Sequence, residues 1–226
     1  MSIVSRPLRV WSFVFCLFAT LASSSSAQAQ ATSGNPFLQK QLSRLDLGVS
    51  AIGSINKSTS GTNYLGLDLD QKAGTTVGAL VTIRYTKSPY IGGEFNYTYI
   101  RSTQHYTQNG QDAYLIGGVQ SNASEYTLGY VIHPPHLLLT TQPFVSVGLG
   151  STQFKPTPGG GQGLPARARM TYYYAVGLEK DFTPHFGVRA QLRQTFYKAP
   201  DFGQNYLAIE AQTWSLEPGI GFVLHF

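Results

Sequence analysis

Charge is what this chain has least of. Only 12% of its 226 residues are Asp, Glu, Lys or Arg, roughly half the usual share of a globular protein, so an ordinary charge-solvated surface is not the design. Cysteine is nearly missing as well. The one Cys, Cys16, falls in an apolar stretch near the amino terminus, which leaves the rest with no disulfide, thiolate metal site or cysteine nucleophile. Beyond that stretch no apolar run reaches the roughly 18 residues a spanning helix needs. Charge of one sign is also scarce. With Arg6 and Arg9 set aside, 14 of the 16 Lys and Arg face 11 Asp and Glu, too mild a balance for a nucleic-acid partner. What the chain has in quantity is glycine (24) and tyrosine (14), residues of turns and strands rather than helices.

The amino terminus is a separate object. Arg6 and Arg9 give a basic start, 10–22 is apolar, and 23–29 is small and polar. Ala27-Gln28-Ala29 offers a cleavage site before Gln30, with Ala29-Gln30-Ala31 as the alternative. This predicts a secretory leader over 1–29. Phe15 stands where a lipoprotein signal wants a small residue before its Cys, so no lipid anchor is expected. A lead-in over 30–44 and one domain over 45–226 follow.

Within 45–226 eight segments alternate apolar and polar residues: 45–56, 75–86, 90–101, 124–133, 142–153, 170–182, 186–197 and 213–226. Alternation marks strands with two unlike faces, and ten to fourteen residues is the length a tilted strand needs to cross a bilayer. Long polar connections (57–74, 102–123, 154–169, 198–212) alternate with short ones containing proline (87–89, 134–141, 183–185). The expected fold is an all-β, eight-stranded antiparallel up-and-down barrel, with four long loops at one end and short turns at the other.

Periodicity alone does not say which face points inward, and a soluble ligand-binding barrel would put the apolar set inside. Three features favour apolar-outward. The polar face is rich in glycine, which suits a crowded interior. Aromatics fall at two heights, Tyr85, Tyr90, Phe182, Phe186 and Phe226 at one and Tyr99, Tyr126, Tyr172, Phe196 and Trp214 at the other, as lipid interfaces select. The polar face also carries charges able to pair across strands. Arg84 and Glu94 flank Pro89 symmetrically, Glu179 and Arg189 flank Pro184, and Arg193 and Glu217 face each other if the last loop centres near Asn205. With Glu125 these form the expected interior ion-pair network.

The final stretch, TWSLEPGIGFVLHF, alternates strictly and stops on an aromatic residue. With the segments QPFVSVGLG and HFGVRAQLRQTFY it makes the chain resemble the eight-stranded bacterial outer-membrane barrels, the OmpA-like transmembrane domain and the opacity-type barrels. The resemblance covers 45–226. It implies an integral outer-membrane protein of the Gram-negative envelope with both termini periplasmic. Ile220, Phe222, Leu224 and Phe226 would then be the signal read by the barrel assembly machinery, and outer-membrane lipids and lipopolysaccharide the surroundings. No peptidoglycan-binding domain follows Phe226, so no cell-wall tether is implied.

Catalytic chemistry is not legible. The His-x-Ser of barrel lipid A deacylases is missing, and the strand histidines His133 and His225 have no evident nucleophile. Asp68-Leu69-Asp70 and His133-Pro-Pro-His136 are poor metal sites, and Gly159–Gly163 lacks the Lys and Ser/Thr of a phosphate loop and reads as a flexible surface loop. Lys155, Arg167 and Arg169 make that loop basic and are candidates for lipopolysaccharide contact. The expectation is a non-enzymatic barrel without cofactor or metal, with a structural or adhesin-like surface role and a loop partner that the sequence leaves open. A narrow, porin-like channel for small or hydrophobic solutes is the alternative, ahead of a lipid A-modifying enzyme.

Overall fold

The structure is a computed structural model that describes residues 36–108, 111–112, 118–138 and 140–226; the expected leader lies outside them. Two compact units divide the chain, Met1–Ser43 and Arg44–Phe226. The first contributes helix α1 (Pro36–Leu42), where the lead-in was expected. Pro36 supplies the fixed φ of a first helical position, and Leu, Gln and Lys are good helix formers.

The second unit is built from strands β1 (Leu45–Asn56), β2 (Thr59–Thr62), β3 (Asp68–Ala73), β4 (Thr76–Ser88), β5 (Ile91–Gln108), β6 (Gln111–Asp112), β7 (Gly118–Ile132), β8 (Gln142–Pro156), β9 (Arg167–Thr183), β10 (Phe186–Lys198) and β11 (Gln212–His225). Eight of them, β1, β4, β5 and β7 to β11, pair antiparallel with their neighbours around a ring, and the β1–β11 pairing closes it. Among the described residues no helix is long and apolar enough to cross a membrane.

Two long connections are more ordered than their polarity suggested. β5 runs on to Gln108 and β7 begins at Gly118, in register from Ile91↔Ile132 to His105↔Gly118. Residues 57–74 hold the β2–β3 hairpin, which extends the sheet from β5. The apolar alternation stops near Ile100 because the outer face turns polar there (Arg101, Thr103, His105), although the backbone ladder continues. Hydrophobic period measures lipid contact, not strand length.

Burial decides the faces. Outside, Val77 is 79% exposed and Leu128 66%, whereas inside Arg193 is 1% and Glu217 2% exposed. Apolar outside and charged inside is stable only against lipid, which overturns the soluble-barrel alternative. Tyr172, Phe196 and Trp214 form one outward row across β9, β10 and β11. At the opposite end Phe186 stacks on Phe222 at 5.4 Å. Ile220, Phe222, Leu224 and Phe226 are all exposed on the outer face. The closing strand ends beside the short turns, with the Phe226 N–H donating to Leu45 O (3.4 Å) and the His225 N–H to His185 O (3.1 Å).

The closing seam has one gap. Pairing between β1 and β11 runs to Ile52↔Gly219 and resumes at Ile55↔Leu216, because Pro218 has no N–H to give Gly53. Small outward residues there (Ala51, Gly53, Ala190, Pro218) leave an open concavity of about 680 Å³ in the wall, also lined by Gln191.

Candidate functional site: a filled lumen under a loop lid

The interior is built in layers, each set by strand register. Nearest the turns, Arg84 (β4) pairs in register with Glu94 (β5), and Glu179 (β9) with Arg189 (β10). Across the lumen the pairs merge into a quartet. Arg84 reaches Glu179 at 2.9 Å and Glu94 at 3.6 Å, while Arg189 lies 3.4 Å from Glu179 and 3.7 Å from Glu94. Two positive and two negative charges cancel, which is what makes burial tolerable. Phe144 from β8 lies against both guanidiniums, 4.1 Å from Arg189 and 5.4 Å from Arg84. His133 sits 3.2 Å from Arg84 and 3.6 Å from Glu179. The Tyr173 hydroxyl donates to Glu94 at 2.9 Å, and Asn96 donates to both, at 3.1 Å to Glu94 and 3.0 Å to Tyr173.

Tyr173 fits because the inward positions beside it on β8 and β7, Gly148 and Gly129, carry no side chain. A Cβ on Gly148 would meet the Tyr173 ring at 2.5 Å and the Gly129 Cα at 2.8 Å. Glycine on this face is space for a neighbour, not flexibility. Replacing Tyr173 by Phe leaves a buried carboxylate oxygen one donor short, and is expected to cost about 1–3 kcal/mol, measured as a shift in the urea unfolding midpoint in detergent.

The second layer is one guanidinium. Arg193 (β10) donates to Glu125 (β7), to Glu217 (β11) at 3.1 Å, and to the Thr98 and Thr127 hydroxyls at 3.2 Å each. Its Cζ lies 4.3 Å from the centre of the Tyr173 ring. The Thr195 hydroxyl donates to Glu217 and that of Thr152 to Glu125, both at 3.2 Å. Above it a cavity of about 30 Å³, lined by groups such as Ser54, Asn56, Ser215 and Tyr197, has room for a water or two.

The third layer is apolar and closes the loop end. Tyr106, Val119, Phe154, Tyr197, Phe202 and Leu207 pack together, and Leu69, Ala199 and Ile209 form a smaller cluster. Residues 198–212, expected as a long polar connection, therefore contribute four buried apolar side chains to these clusters. Tyr106 donates to Pro200 O at 2.6 Å. Asn63, in the β2–β3 turn, donates to Tyr206 O at 3.1 Å. Phe202 holds φ +48°, a left-handed backbone that a bulky residue adopts only when its surroundings compel it. The glycine-rich stretch 159–163, expected to be flexible, is tied to β7 by Gln120 N–H to Gly160 O and Gln162 to Gly118 O, both 2.9 Å.

The basic cluster expected in 155–169 is divided between two faces. Arg167 and Arg169 pair with the inward Phe154 and Thr152 and turn into the mouth, where Asp201 meets them at 3.3 and 2.6 Å. Lys155 pairs with Asn122 on the outer face. Reading Lys155, Arg167 and Arg169 as one basic loop left out Asp201, which arrives from another loop. Sequence reading also passed over His133, Phe144 and Tyr173 as interior residues. Stepping by two from Glu125 to His133, or back from Glu179 to Tyr173, would have found two of them. His133 is buried and His136 is exposed. Among the described residues no three His, Cys, Asp or Glu gather so as to hold a metal ion.

A closed antiparallel barrel, apolar outside and filled with paired charges, is an integral β-barrel of the bacterial outer membrane. Residues 16–225 match the model of the outer membrane protein beta-barrel domain, and the chain belongs to that family. Among solved structures it is similar to Neisserial surface protein A, at 11% identity and a TM-score of 0.53 over 80% of this chain and 97% of that one. It is also similar to OprG from Pseudomonas aeruginosa, at 12% identity and a TM-score of 0.56 over 80% and 95%. At such identities the likeness concerns the fold. No curated protein matches the sequence.

Proposed function

We propose that the protein is a non-enzymatic structural barrel that presents a fixed loop surface outside the cell, with its short-turn end and both termini in the periplasm. The observation that carries this reading is closure of the lumen at three heights, by the Arg84–Glu94–Glu179–Arg189 quartet, by Arg193, and by the Phe202 plug. An eight-stranded barrel has an interior just wide enough for side chains, and here they are held by charge pairs rather than left mobile. The described parts of the loops are tied to one another, through Asn63–Tyr206, Tyr106–Pro200 and Arg169–Asp201, so an external partner would meet a preformed surface there. His133 and His225 are engaged with carboxylates, Glu179 for the first and Asp46 and Asp181 for the second, which favours structural roles over acyl transfer.

The expected result is recovery of the protein in the outer-membrane fraction with a heat-modifiable gel mobility. In planar bilayers the purified barrel should show no steady openings. Reproducible large openings would overturn the closed-lumen reading. One observation favours a second reading, a narrow route for hydrophobic solutes: the wall concavity at the Pro218 gap. Pro218→Thr restores an N–H to the seam, so uptake of an apolar dye that depended on this gap would fall in that variant.

A further inference from the structure

Five arginines of this barrel are already engaged with carboxylates. Arg84, Arg189 and Arg193 are paired inside, and Arg167 and Arg169 hold Asp201. Arg101 and Lys155 differ. Both are exposed on the outer face, and among the described residues neither meets a carboxylate. Strand register places them in one row across three strands, Arg101↔Asn122↔Lys155. The Arg101 Nε–H donates to Asn122 Oδ1 at 2.8 Å. That bond orients the guanidinium and leaves the Asn122 amide N–H₂ as a donor between the two cations.

The row lies at a defined height. The same three strands carry Ile91↔Ile132↔Val145 at the turn end. From Ile91 to Arg101, and from Val145 to Lys155, the chain advances ten residues. At a rise of about 3.4 Å and a tilt of about 40° that is roughly 26 Å, close to the ~25 Å apolar band of such barrels. Two rows below, Tyr97 and Tyr126 pack at 5.1 Å, as interface aromatics do. Arg101 and Lys155 therefore stand at the headgroup level of the leaflet on the loop side. Across two strand spacings their Cα atoms are about 10 Å apart, so both long side chains reach a single phosphate over Asn122.

We propose that Arg101, Asn122 and Lys155 form a binding site for the phosphate of a phosphorylated lipid headgroup in the outer leaflet, lipopolysaccharide being that leaflet's phosphorylated glycolipid. The site replaces the grouping of Lys155 with Arg167 and Arg169, both of which are held by Asp201. It rests on the proposed orientation of the barrel, but its test in micelles does not, so the two fail separately.

The purified barrel in detergent is titrated with bis-phosphorylated lipid A, with the dephosphorylated lipid and with inorganic phosphate, and bound lipid is read by native mass spectrometry. Arg101→Ala/Lys155→Ala should weaken lipid A binding roughly 10–30-fold, since each Lys or Arg near anionic headgroups adds about fivefold. The dephosphorylated lipid should bind both forms alike. Arg167→Ala/Arg169→Ala should bind lipid A as the parent does. Heat-modifiability controls for folding, and Lys155→Gln serves where the double variant does not fold. Unchanged lipid A binding in the Arg101/Lys155 variant would sink the proposal. Displacement of lipid A by millimolar inorganic phosphate would assign the site to free phosphate and overturn the lipid.

Discussion

Arg193→Met is expected to lower the unfolding free energy of the barrel by about 3–5 kcal/mol, because it leaves Glu125 and Glu217 buried with no cation between them. The side chain is fully enclosed, and its two terminal nitrogens reach both carboxylates and two threonine hydroxyls. Methionine fills most of the volume, so the loss is electrostatic rather than a cavity. Adding Glu125→Gln and Glu217→Gln to the same chain removes the stranded charges and should restore most of the stability, because a buried ion cluster is replaced by neutral groups. The checking measurement is the urea midpoint in detergent, followed by Trp214, the one tryptophan outside the expected leader. A single variant within about 1 kcal/mol of the parent would mean that water, not Arg193, neutralises that layer.

That network is legible in outline in the sequence. Symmetry about Pro89 and Pro184 put Arg84 opposite Glu94 and Glu179 opposite Arg189, and a loop centred near Asn205 put Arg193 opposite Glu217. The register has all three pairs. Hairpin symmetry is local, however, and the shortest contact of Arg84 is to Glu179, four strands away around the ring. Contacts across a lumen depend on barrel closure, which no hairpin encodes. The same limit hid Asp201 from the basic residues of β9, and Phe144 from the guanidiniums it packs against. It also explains the loops. In 198–212 polar and apolar residues look mixed because the segment folds back on itself, so the period that marks a strand is lost while Phe202, Leu207 and Ile209 still reach the core. Strand faces follow a period of two; plugs follow no period.

Phe202→Ala should open the lid without opening the barrel. The ring is fully buried among Tyr106, Phe154 and Leu207, and deleting such a ring costs about 3–5 kcal/mol. The loss falls on residues 198–212 and on their ties to Asn63, Tyr106 and Arg169, not on the strand ladder. Local opening should then be ~100-fold more populated, since each 1.4 kcal/mol is a factor of ten and part of the loss is recovered by relaxation. Trypsin cleavage after Lys198 reports that population when reclosing outpaces cleavage. The urea midpoint should move little, and conductance should stay absent, because Arg193 and the quartet below it still fill the lumen. Phe202→Gly separates packing from backbone strain. Glycine accepts φ +48° freely, so a glycine variant less cleavable than the alanine one shows that the buried ring compels the left-handed turn. Cleavage unchanged in Phe202→Ala would mean that the loop is held by Tyr106–Pro200 and Arg169–Asp201 alone. Loss of heat-modifiability would mean instead that lid and wall unfold as one unit, and a surface partner could then reshape the loops only by loosening the barrel beneath them.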